Sequence, residues 1–272
     1  MSTSPPARRQ PVPKRFDVAG LTLGRWLLGW WYVLRFGARV LVLAASPSTY
    51  RRCQRRLILH NVYLATWPML PGFALLTAIF GLVVIRIVLT TALTYGLTQY
   101  ALDVLVRTLV LELIPLSAAL YVAVRYSLAE GEMIRMLRAE GRFKEMLRAG
   151  RDPTRDIVLP KVIAGQFAVV SLTVVSGVVV LLLTYLSLYG FATWGLEGFT
   201  RGVGQVLDPL TILILLMKTF FMSLAVALIP MVTTALDVAQ GGSRAHAELV
   251  RLARLLTVML LIEIAALVGS YY

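Results

Sequence analysis

Long apolar runs alternate with charged stretches along this chain, and the runs predict its elements. They are Pro68 to about Gln99, roughly Val104 to Tyr126, Val162 to Tyr189, Pro209 to Leu236 and Arg254 to about Ser270. At about 20 residues per crossing each is long enough to span a bilayer. Ahead of them Leu23 to Ala45 is apolar but interrupted. At about 100° per residue Arg25, Arg35 and Arg39 fall within an arc of roughly 80°. Trp26, Trp30, Trp31 and Tyr32 are aromatics of the kind that settle at headgroup level. Three arginines on one stripe make a full crossing costly, so this helix is placed in the interface. The fold expected is an all-α integral membrane protein with an N-terminal interfacial (elbow) helix, five transmembrane helices and a cytoplasmic helical segment between the second and third.

The organisation follows. Residues 1–20, with Pro5, Pro6, Pro11 and Pro13, read as a disordered cytosolic tail, 21–61 as the amphipathic helix and a basic linker, and 62–272 as the membrane domain. Gly190–Asp208, with further glycines at 195, 198, 202 and 204, reads as an external loop.

Composition agrees with membrane embedding. The 272 residues are 58% hydrophobic and 15% charged, with a mean hydropathy of +0.77, above what a soluble domain carries. The net charge of +13 would suit nucleic acid, but its distribution argues against that. Eleven Lys/Arg fall in residues 1–61, nine in 125–161 and three in 237–254. Cations that alternate with spans mark loops retained in the cytoplasm. Only Arg107 and Arg201 lie near the other face. The N-terminus is therefore expected inside and the C-terminus outside.

The segment Arg125–Lys161 holds those nine cations and six acids between two apolar runs, so it must lie at the surface. Within 127–157, Ser127–Glu140 and Arg142–Ala149 read as helical pieces joined at Gly141. Gly150 stands where a cap would, and Asp152-Pro153 turns the chain back. Arg135, Arg138 and Arg142 share a face by spacings of three and four. That face suits anionic headgroups or an acidic groove on a soluble partner.

Arg86, Glu112, Lys218 and Glu263 are ionisable groups inside spans, where burial costs about 2.5–3.5 kcal/mol or more. They either pair to fix register or line a polar cavity. Lys218 is about ten residues from the outer start of its span and Glu263 about eight from the outer end of its own. At a rise of about 1.5 Å per residue they differ in depth by only about 3 Å and can meet. Pro115, three residues after Glu112, removes a backbone donor and predicts a bend.

Catalytic signals are poor. Met217-Lys218-Thr219 mimics the end of a phosphate-binding loop but follows no glycine-rich stretch. His60 and His246 lie far apart, and Cys53 is the single cysteine, so neither a disulfide nor a cysteine zinc site is expected. No cofactor or metal is expected.

Glu112-x-x-Pro115, the following Ala119-Leu120-x-x-Ala123-x-Arg125, and later Leu147-x-x-Gly150-x-Asp152-Pro153 and Val158-x-Pro160 make the chain resemble an MlaE/YrbE-type permease. Such permeases are membrane subunits of ABC transporters that act on lipids with MCE (mammalian cell entry) proteins. The resemblance runs from about Leu23 to the C-terminus. The family has a Glu-Leu-Gly-Pro segment; here Ile114 stands at the Gly, a departure that stiffens the bend. The resemblance implies a homodimer in a bacterial inner membrane, ATP bound by a separate ATPase subunit below and an MCE ring in the periplasm above. It implies lipid passing through a cavity between protomers, with Glu112, Leu113, Pro115, Lys218, Glu263 and Arg86 at the cavity or hinge. It also implies a coupling helix in the ATPase groove, with Glu132, Arg135, Arg138, Arg142, Asp152 and Pro153. Two other classes compete: a non-transporting membrane scaffold whose charged loop recruits a cytosolic partner, and an intramembrane enzyme acting on lipid, which lacks a catalytic set.

Overall fold

In lipid every backbone N–H and C=O needs an internal partner, so long apolar runs become helices. The computed structural model describes residues 35–44, 52–240 and 244–271, with Trp31 and Ser46 as isolated positions, and no strand occurs among them. Five stretches are long and apolar enough to cross a membrane: Arg55–Thr94, Tyr100–Ala139, Thr154–Tyr189, Pro209–Val232 and Leu249–Gly269. They are spans 1 to 5, as the hydropathy pattern predicts.

Residues 35–44 form α1. Span 1 comprises α2 (Arg52–Thr66) and α3 (Leu70–Thr94). Span 2 runs through α4 (Thr98–Leu105), a π-helical stretch Val106–Leu113, α5 (Ile114–Val122), a second π-helical stretch Ala123–Ser127 and α6 (Leu128–Ala139). After α7 (Arg142–Arg148) and a π-helical turn at Thr154–Val158, α8 (Leu159–Tyr189) forms span 3. A short helix α9 (Leu196–Val206) leads to α10 (Pro209–Gln240) and α11 (Arg244–Tyr271).

Prolines set several of the starts. Pro71, Pro115 and Pro160 occupy the first turns of α3, α5 and α8, where the missing N–H costs nothing. Where a bend is expected, a π-helical stretch ends just before Pro115. A π-bulge of this kind absorbs an irregularity without breaking the helix.

The centre of the bundle is built from small side chains. Ala118, Ala119 and Ala123 of span 2 meet Ala164 and Ala168 of span 3, with Met222 and Val226 of span 4 and Leu255 and Met259 of span 5 around them. Small residues let membrane helices approach closely, where dispersion and interhelical bonds must replace the hydrophobic drive. The outward surface is apolar instead: Leu75, Ile79, Val174, Val178, Leu260 and Leu261 are all exposed.

Three expectations on organisation change. The basic linker is shorter than 21–61 suggests, because α2 is helical from Arg52 and buries Ile58 and Ala65, one face at a spacing of seven. The segment Gly190–Asp208 is mostly helix, not loop. Two of its glycines stand where neighbours come close: a Cβ on Gly202 would meet Leu102 at 2.6 Å, and one on Gly195 would meet the Tyr189 ring. Phe199 and Val206 are buried on that same face, and Tyr185 meets the Phe199 ring edge-on at 5.3 Å. Finally, α6 continues span 2 without interruption. The first half of the charged segment is therefore anchored to the bundle and is not a free surface helix.

The tail 1–20 and most of Leu23–Ala45, including Arg25, Trp26 and Trp30, lie outside the described residues. Of α1, Val40 is buried, and a Cβ on Gly37 would stand 3.1 Å from Leu228. Trp31, Arg35 and Arg39 are exposed.

Candidate functional site

Span 2 carries Glu112 in its π-helical stretch, three residues before Pro115. Because Pro115 has no N–H, the carbonyl four residues back, that of Leu111, loses its α-helical donor. Lys218 of α10 supplies one: its Nζ donates to Leu111 O at 3.1 Å. The same ammonium donates to Glu112 Oε2 and to Glu263 Oε1 at 2.8 Å. An ammonium has three protons, and they meet two acceptors from span 2, Leu111 O and Glu112, and one from span 5, Glu263. Lys218 is only 3% exposed, so this triad sits within the bundle where spans 2, 4 and 5 meet. The pairing of Lys218 with Glu263 expected from depth is present, and Glu112 joins it.

The triad is asymmetric. Two carboxyl groups share one cation, and Glu263 Oε2 is buried without a partner. The Glu112 side chain retains 30% exposure, so this acid is the part of the triad that a molecule outside the bundle can reach. Immediately beside it, Leu113 lines an apolar cavity of about 270 Å³ together with Phe73, Thr77, Phe80, Leu109 and Ile114. Glu112 itself opens onto a separate small pocket with Leu111, Thr211, Ile214, Leu215, Lys218 and Ala266, so the acid and the apolar cleft belong to neighbouring residues on different faces of span 2. Ile114, which stands where the family pattern has glycine, is buried in the wall of that cleft.

Arg86 does not join this site. It is exposed on α3, with no ion pair among the described residues.

On the side of the bundle where α6 lies, three consecutive residues tie that helix to three spans. Glu130 pairs with Lys161 at the start of α8. A Cβ on Gly131 would lie 2.9 Å from the Pro230 carbonyl oxygen of α10. Glu132 lies 3.8 Å from Arg251 of α11, a residue 3% exposed in its side chain, and also accepts both Nε and a terminal nitrogen of Arg135 at 2.8 and 2.5 Å. Sequence spacing could not reveal this clamp, because its partners lie 31 and more residues away.

The three arginines placed on one face therefore differ. Arg135 is committed to Glu132. The Arg138 guanidinium lies 4.9 Å above the Phe143 ring, within cation–π range. Arg142 is exposed and only 3.3 Å from Glu140. Asp152 accepts the Thr154 N–H at 3.0 Å, capping the turn that leads to α8, and Pro153 beside it is buried. Nothing in α7 is fully buried; Arg142, Lys144 and Arg148 project from it, with Leu147 62% exposed. Among the described residues no cluster of His, Cys, Asp and Glu could hold a metal ion.

Residues 58–270 match the family model described as Permease MlaE. The chain belongs to the MlaE permease family. A comparison with curated proteins gave no match. The match begins within α2 and takes in all of spans 2 to 5, so both the triad and the clamp fall inside the family domain. The chain is a multi-pass transmembrane permease.

Proposed function

We propose that this permease is the membrane subunit of an ABC transporter that moves phospholipid or a related lipid between the inner membrane and a periplasmic MCE protein. It would act as a homodimer, and a separate ATPase would hydrolyse ATP. The observation that carries the reading is the apolar cleft on span 2, with the Glu112–Lys218–Glu263 triad on the neighbouring face. A lipid is amphiphilic: the cleft suits its acyl chain, and the exposed edge of Glu112 can accept from ammonium or hydroxyl donors of a headgroup. Most of the cleft's lining is apolar, which suits an acyl chain, and cavities of this kind are the default sites for ligands. The cation-rich stretches favour an N-terminus inside and a C-terminus outside.

Transport tests it. In proteoliposomes containing the chain and its ATPase, Glu112→Ala is expected to slow transfer of a fluorescent phospholipid about tenfold, the effect of losing some 1.4 kcal/mol of binding. Assembly should survive, because Lys218 keeps Glu263 and the Leu111 carbonyl. A wild-type transfer rate would return Glu112 to a purely structural role and favour the scaffold reading.

The geometry of α7 refines the coupling reading. Reversing Arg142, Lys144 and Arg148 to Glu is expected to leave the yield of the chain unchanged and to abolish co-purification of the ATPase. Arg135→Glu is expected to lower thermal stability by about 1.5–3 kcal/mol, the worth of a charged hydrogen bond, because it opens the Glu132 pair. Full ATPase recovery with the triple variant would remove α7 from the docking surface.

A further inference from the structure

The buried stripe of α3 consists of Phe73, Thr77, Gly81, Ile85 and Ala92. On the opposite side Leu75, Ile79, Leu82, Arg86 and Leu93 fall within about 60° of one another at 100° per residue. The four leucine and isoleucine side chains are 64%, 60%, 43% and 68% exposed in chain order, and Arg86 is exposed among them. A bilayer accounts for the apolar residues but not for a guanidinium in their midst.

Among the described residues no ion pair forms at Arg86. The nearby hydroxyls of Thr91 and Thr94 donate to their own helix, to Ile87 O and Thr90 O at 2.8 and 2.9 Å. Acids toward the same end of the bundle are also engaged: Asp103 with Arg107, Glu197 with Arg201, Asp208 with the Thr211 N–H, and Glu112 and Glu263 with Lys218. A second copy would bring those same engaged groups. A lipid phosphate at the nearer surface is also poorly placed. Arg86 lies eight residues inside Thr94, about 12 Å, and helical side chains lean toward their N-terminus. Its stem therefore leads deeper into the bilayer, away from the nearer headgroups.

We propose that this face of span 1 docks a transmembrane helix of another protein, one that carries an Asp or Glu at the depth of Arg86. Apolar side chains on either side would pack against the leucines and isoleucine. The carboxylate would supply the charge-assisted bond that makes the guanidinium tolerable in lipid. The proposal rests on membrane insertion alone and stands whether or not lipid is the substrate.

The test places p-benzoylphenylalanine at Leu82 and at Thr90, one turn either side of Arg86, in the full chain in its native membrane. Cross-linked peptides are identified by mass spectrometry. The expected adduct is to one other membrane protein, within a span containing an Asp or Glu. Arg86→Glu is expected to reduce it about tenfold or more, as when one member of a desolvated charge pair is lost, and changing the partner's acid to Arg should restore it. Yield of the chain should not change, because Arg86 makes no ion pair among the described residues. Adducts only to lipid, adducts only to a second copy, or an adduct indifferent to Arg86→Glu would each overturn the proposal.

Discussion

Lys218→Met is expected to be the most damaging single substitution in the membrane core, lowering stability by about 3–5 kcal/mol, the range for breaking a buried charge pair on one side. The reason lies in the count of partners. Lys218 is the one cation hydrogen-bonded to Glu112, Glu263 and the Leu111 carbonyl. Methionine fills its volume but leaves two carboxyl groups and a carbonyl without a donor in hydrocarbon. Glu263→Leu should cost less, because Lys218 then retains Glu112 and Leu111. The double variant should recover part of the Lys218→Met loss, and adding Glu112→Gln should recover more. Thermal unfolding in detergent, read by fluorescence-detected size exclusion, measures all four. Equal losses for Lys218→Met and Glu263→Leu would show that the ammonium is not the hub.

Gly131→Val is expected to force α6 away from α10 and to lower stability. A Cβ there would meet Pro230 O at 2.9 Å and Pro230 C at 3.2 Å. Those are backbone atoms and cannot rotate away, so α6 and α10 must separate. Overpacking of this kind costs about 1–3 kcal/mol. The shift would also strain the ion pairs made by Glu130 and Glu132 on either side. Gly204 in α9 is the control: a Cβ there would meet nothing within 4 Å, so Gly204→Ala should be neutral or slightly stabilising. A Gly131→Val melting temperature equal to that of the parent would mean that α6 is not held against α10.

The crossings were legible because hydropathy over some 20 residues is a strong signal and lipid permits few backbone arrangements. Lys218 and Glu263 could be matched from depth alone, since both distances are counted from span ends. Glu112 as their common partner could not be, because it depends on how span 2 is rotated, and the π-helical stretch before Pro115 sets that rotation. Glycine content misled at 190–208, where Gly202 and Gly195 mark close approach to Leu102 and Tyr189 within and beside a short helix. Charge density misled in part at α6. Gly131 and Ile134 are buried there, and two of the acids serve partners on other helices, a long-range fact that no local pattern contains.

Photocrosslinking at the wall of the cleft tests the lipid reading most directly. With p-benzoylphenylalanine at Leu113 or Ser117, both of which line it, in the assembled transporter, a phospholipid adduct is expected by mass spectrometry, and Glu112→Ala should reduce it several-fold. Val178, on the outward face of span 3, should label with lipid regardless of that substitution. No lipid adduct at either cleft position, or one unchanged by Glu112→Ala, would contradict a lipid site between Glu112 and the cleft.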